Sequence, residues 1–140
     1  MRSLQMTSGA VADFYAPADN PFPFSEAVRA GDTLYLAGQI GLGPEGLVPD
    51  FEGQVRQMMD NVAATLSGMG LGMEHLVKCS VFMTDLSRWQ DFNRIYVQYF
   101  DPKRLPARCA SGANALAIGA QVEIDCIAFV PPAAVSGKAA

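Results

Sequence analysis

One arginine stands in "LPARCASGAN" (105–114) among small and mostly uncharged residues. Arg108 has no carboxylate beside it in sequence, and Ala107, Ala110, Ser111 and Gly112 leave room for backbone N–H groups to approach a ligand. A guanidinium is a planar, permanently charged fork of N–H donors that can grip a carboxylate through two parallel hydrogen bonds. Two readings follow: a structural arginine paired with Glu123, Asp125 or another acid, or a fork for a substrate carboxylate. Glu123 lies in "QVEIDCIAFV" (121–130), whose alternation puts Val122, Ile124, Cys126 and Ala128 on one strand face and Glu123, Asp125, Ile127 and Phe129 on the other. On a solvated face Glu123 is an ordinary surface carboxylate. On a face covered by another subunit, burial raises its pKa toward the range useful for general acid–base work, and Asp125 can add a like-charge push. Cys109 adjoins Arg108, and a nearby cation lowers a thiol's pKa. In an extended strand, however, the two side chains point to opposite faces, and no His lies near in sequence to act as a base. His75 in "GMEHLVK" reads as a surface or capping histidine. "GLGPEG" (41–46) lacks the Lys and Ser/Thr of a phosphate-binding loop and reads as a turn.

The elements that must carry these residues have clear periodicities. In "DFEGQVRQMMDNVAATLSGMG" (50–70), Val55, Met58, Met59, Val62, Ala63, Leu66 and Met69 recur at offsets of three and four, which predicts a helix. Asp50 is its expected N-cap, and Gly68 and Gly70 mark its exit. In "DLSRWQDFNRIYVQYFDP" (85–102), Trp89, Phe92, Ile95, Tyr96, Tyr99 and Phe100 form a second stripe. Ser87 and Gln90 predict a capping box there, and Asp101-Pro102 an end. The rest reads as strands: a hairpin around Ala30-Gly31-Asp32-Thr33, an apolar run in "HLVKCSVFMTD", an extended segment at 105–115, and "QVEIDCIAFV". The expected class is α+β, with two helices on one face of a mixed sheet. Two helices cover one face only, so the opposite face, with Glu123 and Asp125 beside Ile127 and Phe129, calls for a second subunit.

Composition agrees with a single domain over 1–140. Half of the 140 residues are hydrophobic and 17% are charged, below the roughly 25% of typical soluble domains. Such a deficit fits a surface partly covered by other copies. Net charge is −4, and Arg56, Arg88, Arg94, Lys103, Arg104 and Arg108 are scattered or at most paired, so nucleic-acid binding is not expected. Three cysteines without CxxC spacing and one histidine make no usual zinc site, so no metal is expected and the thiols read as reduced, in a cytoplasmic protein. The N-terminal stretch has no continuous apolar h-region, and no segment approaches the roughly 20 apolar residues of a spanning helix, so no membrane association is expected. "PPAAVSGKAA" (131–140) reads as a frayed tail.

Beyond these local readings, the blocks "LYLAGQIG" (34–41), 54–100 with its "DNV", "VFMTDL" and "FNRIY", "PAR" (106–108) and "GAQVEIDCIA" (119–128) come in one order. Over about residues 10–130 the chain resembles the YjgF/RidA family of reactive-intermediate deaminases, also called endoribonuclease L-PSP. The resemblance implies a chorismate-mutase-like fold, a homotrimer with sites in intersubunit clefts, and no metal or organic cofactor. The implied reaction is hydrolysis of carboxylate-bearing imines and enamines of the 2-aminoacrylate type to 2-keto acids and ammonia. Arg108 matches the family arginine that grips the substrate carboxylate, and Glu123 the glutamate that positions and helps activate water. Gly38 and Ala110 match positions where backbone groups line the pocket, and Asn93 a family asparagine of less certain role. The chain departs from the family pattern at three places. Phe24 replaces a pocket tyrosine, Ala37 replaces a serine, and Ala110 replaces a cysteine, with Cys109 one position early. These changes leave the substrate range open, because discrimination rests on placed polar groups. They also keep open a non-catalytic, small-molecule-binding or holdase-like role, and the family label raises ribonuclease activity, which the acidic balance disfavours.

Overall fold

In the computed structural model residues 3–132 are described, so most of the expected tail, 133–140, lies outside the described residues. Among the described residues nine strands and two α-helices stand out: β1 (Gln5–Ser8), β2 (Asp13–Ala16), β3 (Ala27–Ala30), β4 (Thr33–Ile40), β5 (Leu42–Gly43), β6 (Gly46–Leu47), α1 (Phe51–Gly68), β7 (Leu76–Met83), α2 (Trp89–Tyr96), β8 (Ala107–Gly112) and β9 (Val122–Phe129). Seven strands make one sheet in the order β1-β2-β3-β4-β9-β7-β8, and β5 with β6 form a separate two-stranded turn. The β7–β8 pair is parallel and every other pair in that sheet is antiparallel, so the sheet is mixed as expected.

Both helices pack on one face. Val55, Met58, Met59, Val62 and Leu66 of α1 and Phe92, Ile95 and Tyr96 of α2 are buried against Leu34, Leu36, Cys79, Val81, Met83, Val122, Ile124, Cys126 and Ala128. The alternation of β9 is as read, with Val122, Ile124, Cys126 and Ala128 all buried. On the opposite face Tyr35 stays 48% exposed and Phe129 45% exposed. Tyr35 and Phe129 thus leave large side chains exposed on the face away from the helices.

Local signals held unevenly. Asp50 caps α1, its carboxylate accepting from the Gly53 N–H at 2.8 Å. Gly31 takes φ +65° in the β3–β4 turn and Gly70 takes φ +76° past α1, conformations that a Cβ disfavours. The capping box at Ser87 does not form. Asp85 takes that place: its carboxylate accepts from the Ser87 N–H and from Ser87 Oγ, capping a short 3₁₀ turn over Leu86–Arg88 from which α2 starts. A neighbouring Asp is a stronger acceptor than the serine hydroxyl, which donates to it instead. The second helix is also shorter than its stripe: α2 ends at Tyr96 and tightens into 3₁₀ over Val97–Tyr99 before Asp101-Pro102. The expected extended segment at 105–115 narrows to β8, and the β1–β2 hairpin had no counterpart in the sequence reading.

Candidate functional site

Arg108 sits on β8, an edge strand, in register with Cys79 of β7 and, through it, with Cys126 of β9. Both of those residues are buried under the helices, so Arg108 points to the helix side and is half-buried. One Nη donates to Asn93 Oδ1 at 2.7 Å. The guanidinium lies 4.9 Å from the Tyr96 ring centroid and 5.5 Å from that of Phe92. Cation–π contacts of this kind contribute about 0.5–2 kcal/mol each, depending on solvation. The salt bridge to Glu123 or Asp125 that one reading allowed does not form, and among the described residues no carboxylate pairs with Arg108. Among the described residues one of its five N–H donors is used, on a neutral acceptor, which leaves the positive charge without a paired acid there.

Under the guanidinium lies a buried polar patch. Tyr96 is 3% exposed, and its buried hydroxyl has the Cys79 thiol as its neighbour. Burial, followed by the neighbouring Cys79 thiol, pushes the phenol far above its ordinary range, so it stays neutral. The Cys126 thiol donates to Cys79 Sγ at 3.6 Å. That bond draws the Cys79 thiol down, and it pushes Cys126 up together with burial. Ala110 shares the helix-side face of β8 and packs on the core, while Cys109 points the other way and is exposed, as the strand geometry required.

Glu123 belongs to the open face. Its register partners are Ile40 of β4 and Phe82 of β7. Pairing of β4 with β9 slips between Leu36 and Gln39, and the bulge holds Ala37 and Gly38. The Glu123 carboxylate occupies the space that a side chain at Gly38 would need, so the glycine admits the acid to that hollow. Burial raises the Glu123 pKa above the usual carboxylate value, and the Asp125 charge adds to it. The loop before β3 is tied to the same bulge by the Ala37 N–H donating to the Glu26 carbonyl at 3.0 Å. That loop carries Phe24, which is exposed and stacked on Phe22 at 5.4 Å.

Within one chain these residues form two groups. Arg108 and Asn93 stand on the helix side; Glu123, Gly38 and Ala37 stand around the bulge. Between Arg108 and Glu123 lie two strand steps and three residues of register, which at about 4.8 Å per strand and about 3.4 Å per residue separates their Cα atoms by roughly 14 Å. They also face opposite sides of the sheet. The contacts of Asn93 and Tyr96 with Arg108 were not legible in the sequence, which offered only an asparagine and a core stripe. Their spacing on α2 was the available signal, and it needed the position of β8 to be read. Among the described residues no group of His, Cys, Asp or Glu is arranged to hold a metal ion.

Comparison with known proteins gives concordant results. The family model described as endoribonuclease L-PSP matches residues 16–130. A RutC family protein of Aquifex aeolicus is 40% identical over 109 residues, covering 76% of this chain and 87% of the relative. The 2-iminobutanoate/2-iminopropanoate deaminase of Mus musculus is 36% identical over 113 residues, covering 79% and 83%. Among solved structures, RidA from an Antarctic Psychrobacter superposes with a TM-score of 0.76 at 32% identity, covering 93% of this chain and all of that one. TdcF of E. coli, solved with bound serine, gives 0.73 at 29% identity over 79% and 90%.

Proposed function

This chain belongs to the YjgF/RidA family, the endoribonuclease L-PSP family of the matching model, and from that premise we propose that it hydrolyses reactive imines and enamines of the 2-aminoacrylate type to 2-keto acids and ammonia. Relatives at 34–36% identity bear the names of such deaminases. One observation carries the reading to this chain: Arg108 is a half-buried guanidinium anchored by a neutral amide and two aromatic faces, with its charge unspent. An arginine kept for structure alone would be expected to meet a carboxylate.

In the proposed reaction the Arg108 fork holds the substrate carboxylate. The enamine gains a proton at carbon to give the imine, whose protonated C=N carbon is already electrophilic. Glu123 takes a proton from water as the oxygen adds to that carbon. The tetrahedral amino alcohol then receives a proton at nitrogen and collapses, expelling ammonia and leaving the 2-keto acid. No electron transfer is required, and general acid–base catalysis contributes about 10²–10⁴-fold in such steps. A raised Glu123 pKa suits both halves, since the acid is basic enough to take the proton and acidic enough to return it.

Arg108 and Glu123 of a single chain cannot share a small substrate at their separation, so the reading requires a homotrimer whose clefts combine Arg108 of one subunit with Glu123 and Gly38 of the next. The bare face of the sheet supplies the contact surface. Phe24, Ala37 and Ala110 make the cleft less polar and favour imines with apolar side chains. The proposed setting is the cytoplasm; no helix among the described residues is long and apolar enough to cross a membrane.

The test is ammonia release from imines generated in situ by an amino-acid oxidase, with small and bulky side chains. The parent should accelerate release, and Arg108→Ala should slow it by on the order of tens-fold or more. An Arg108→Ala variant as fast as the parent would leave the non-catalytic binder as the better reading.

A further inference from the structure

Resting on that reading, we infer that Asn93 and Tyr96 of α2 are positioning residues: they hold the Arg108 fork through a neutral acceptor and an aromatic face, fixing its orientation while leaving its charge for the ligand. Three observations converge. Asn93 Oδ1 accepts from one Nη at 2.7 Å, so rotation about the end of the side chain is blocked. The guanidinium lies on Tyr96, with Phe92 extending the shelf. Tyr96 in turn is fixed by burial, 3% exposed, between Phe92 and Phe100 at ring separations of 5.3 and 4.8 Å.

The chemistry of the acceptor matters most. An aspartate has nearly the shape of Asn93 and would place a carboxylate where the amide oxygen now stands. It would bind the guanidinium more tightly than the amide does, yet it would neutralise the charge that a substrate carboxylate must find. An amide orients without neutralising. The Tyr96 hydroxyl, by contrast, is engaged with the buried Cys79 thiol, and it is the ring that meets the guanidinium. Its ring is the functional part.

These roles separate under substitution. Asn93→Asp should raise KM for a carboxylate-bearing imine by about tenfold or more, with a much smaller change in kcat, because a competing internal carboxylate weakens binding of an external one. Its affinity for pyruvate, used as a stable 2-keto acid and followed by NMR titration, should fall in parallel. Asn93→Gln should recover part of the loss. Tyr96→Leu, which removes the aromatic face under the guanidinium, should raise KM several-fold. Arg108→Ala is run alongside. If it abolishes pyruvate binding while Asn93→Asp and Tyr96→Leu both bind like the parent, the positioning role is wrong and the carboxylate fork stands. If Arg108→Ala itself binds pyruvate normally, the functional reading falls first. Should Tyr96→Leu not fold, Asn93→Asp, nearly isosteric on a half-buried position, still decides the matter, and binding like the parent overturns the proposal.

Discussion

Glu123 pays for its placement with an unfavourable ionisation: burial and then Asp125 hold its pKa above that of a free carboxylate. If it is the base, the acid limb of the kcat/KM profile should lie above the ordinary carboxylate range. Asp125→Asn removes one upward push and should move that limb to lower pH; Glu123→Gln should abolish it along with most of the rate. Stability follows with a definite sign. A carboxyl whose folded pKa is raised binds its proton more tightly in the native state, so its contribution is fully present below the unfolded value and is lost as pH rises through the folded one. Glu123→Gln, which cannot ionise, should therefore melt no lower than the parent at neutral pH and show a flatter melting profile with pH. Proton titration and thermal melts check both statements. At this scale Arg108 and Glu123 were legible as residue types in telling surroundings. Asn93 and Gly38 entered only through the family resemblance, and their contacts with Arg108 and Glu123 were not legible, because they arise from packing between elements distant in sequence.

Elements were legible where a side chain reports directly on its own turn, as Asp50 does at the start of α1 and Gly31 between β3 and β4. They were misread where two side chains compete for one role. The predicted serine cap before α2 lost to Asp85, two residues earlier. The β1–β2 hairpin escaped notice because its strands are four residues each, too short for alternation to stand out, and β1 buries none of its residues. Close approach of elements leaves a sharper trace. A Cβ on Gly41 would stand 2.5 Å from Gln54 Cα and 2.7 Å from its carbonyl oxygen, both in the backbone of α1, whereas one on Gly68 meets nothing within 4 Å. The same substitution should thus act with opposite signs. Gly41→Ala forces α1 off the end of β4 and should cost about 3 kcal/mol, as overpacking against unyielding backbone does. Gly68→Ala, at the end of the helix, should leave stability unchanged or add up to about 1 kcal/mol. Chemical denaturation of the two variants gives the comparison.

For the whole molecule, the sequence foretold the class, the helix-bearing face and the bare one; it gave no sign that Arg108 and Glu123 would sit on opposite sides of the sheet. That division makes a prediction about assembly. The parent should scatter light with three times the mass of its chain. Arg108→Ala and Glu123→Gln, each nearly inactive alone, should regain activity when subunits are mixed and reassembled. With random mixing in a ring, the chance that an intact Arg108 faces an intact Glu123 is one half times one half, so about a quarter of parental activity should return. No recovery would place both groups in one chain. The strand order carries a further consequence, for folding. The last strand among the described residues, β9, lies inside the sheet between β4 and β7, and no other described strand joins β1–β4 to the β7–β8 pair. Until β9 is made and inserted, β4 and β7 each present an unpaired edge, and the sheet cannot close. Long-range pairing of this kind folds slowly and is open to aggregation meanwhile. Slow insertion of β9 should therefore limit refolding, and truncation before Val122 should leave a chain that aggregates rather than folds.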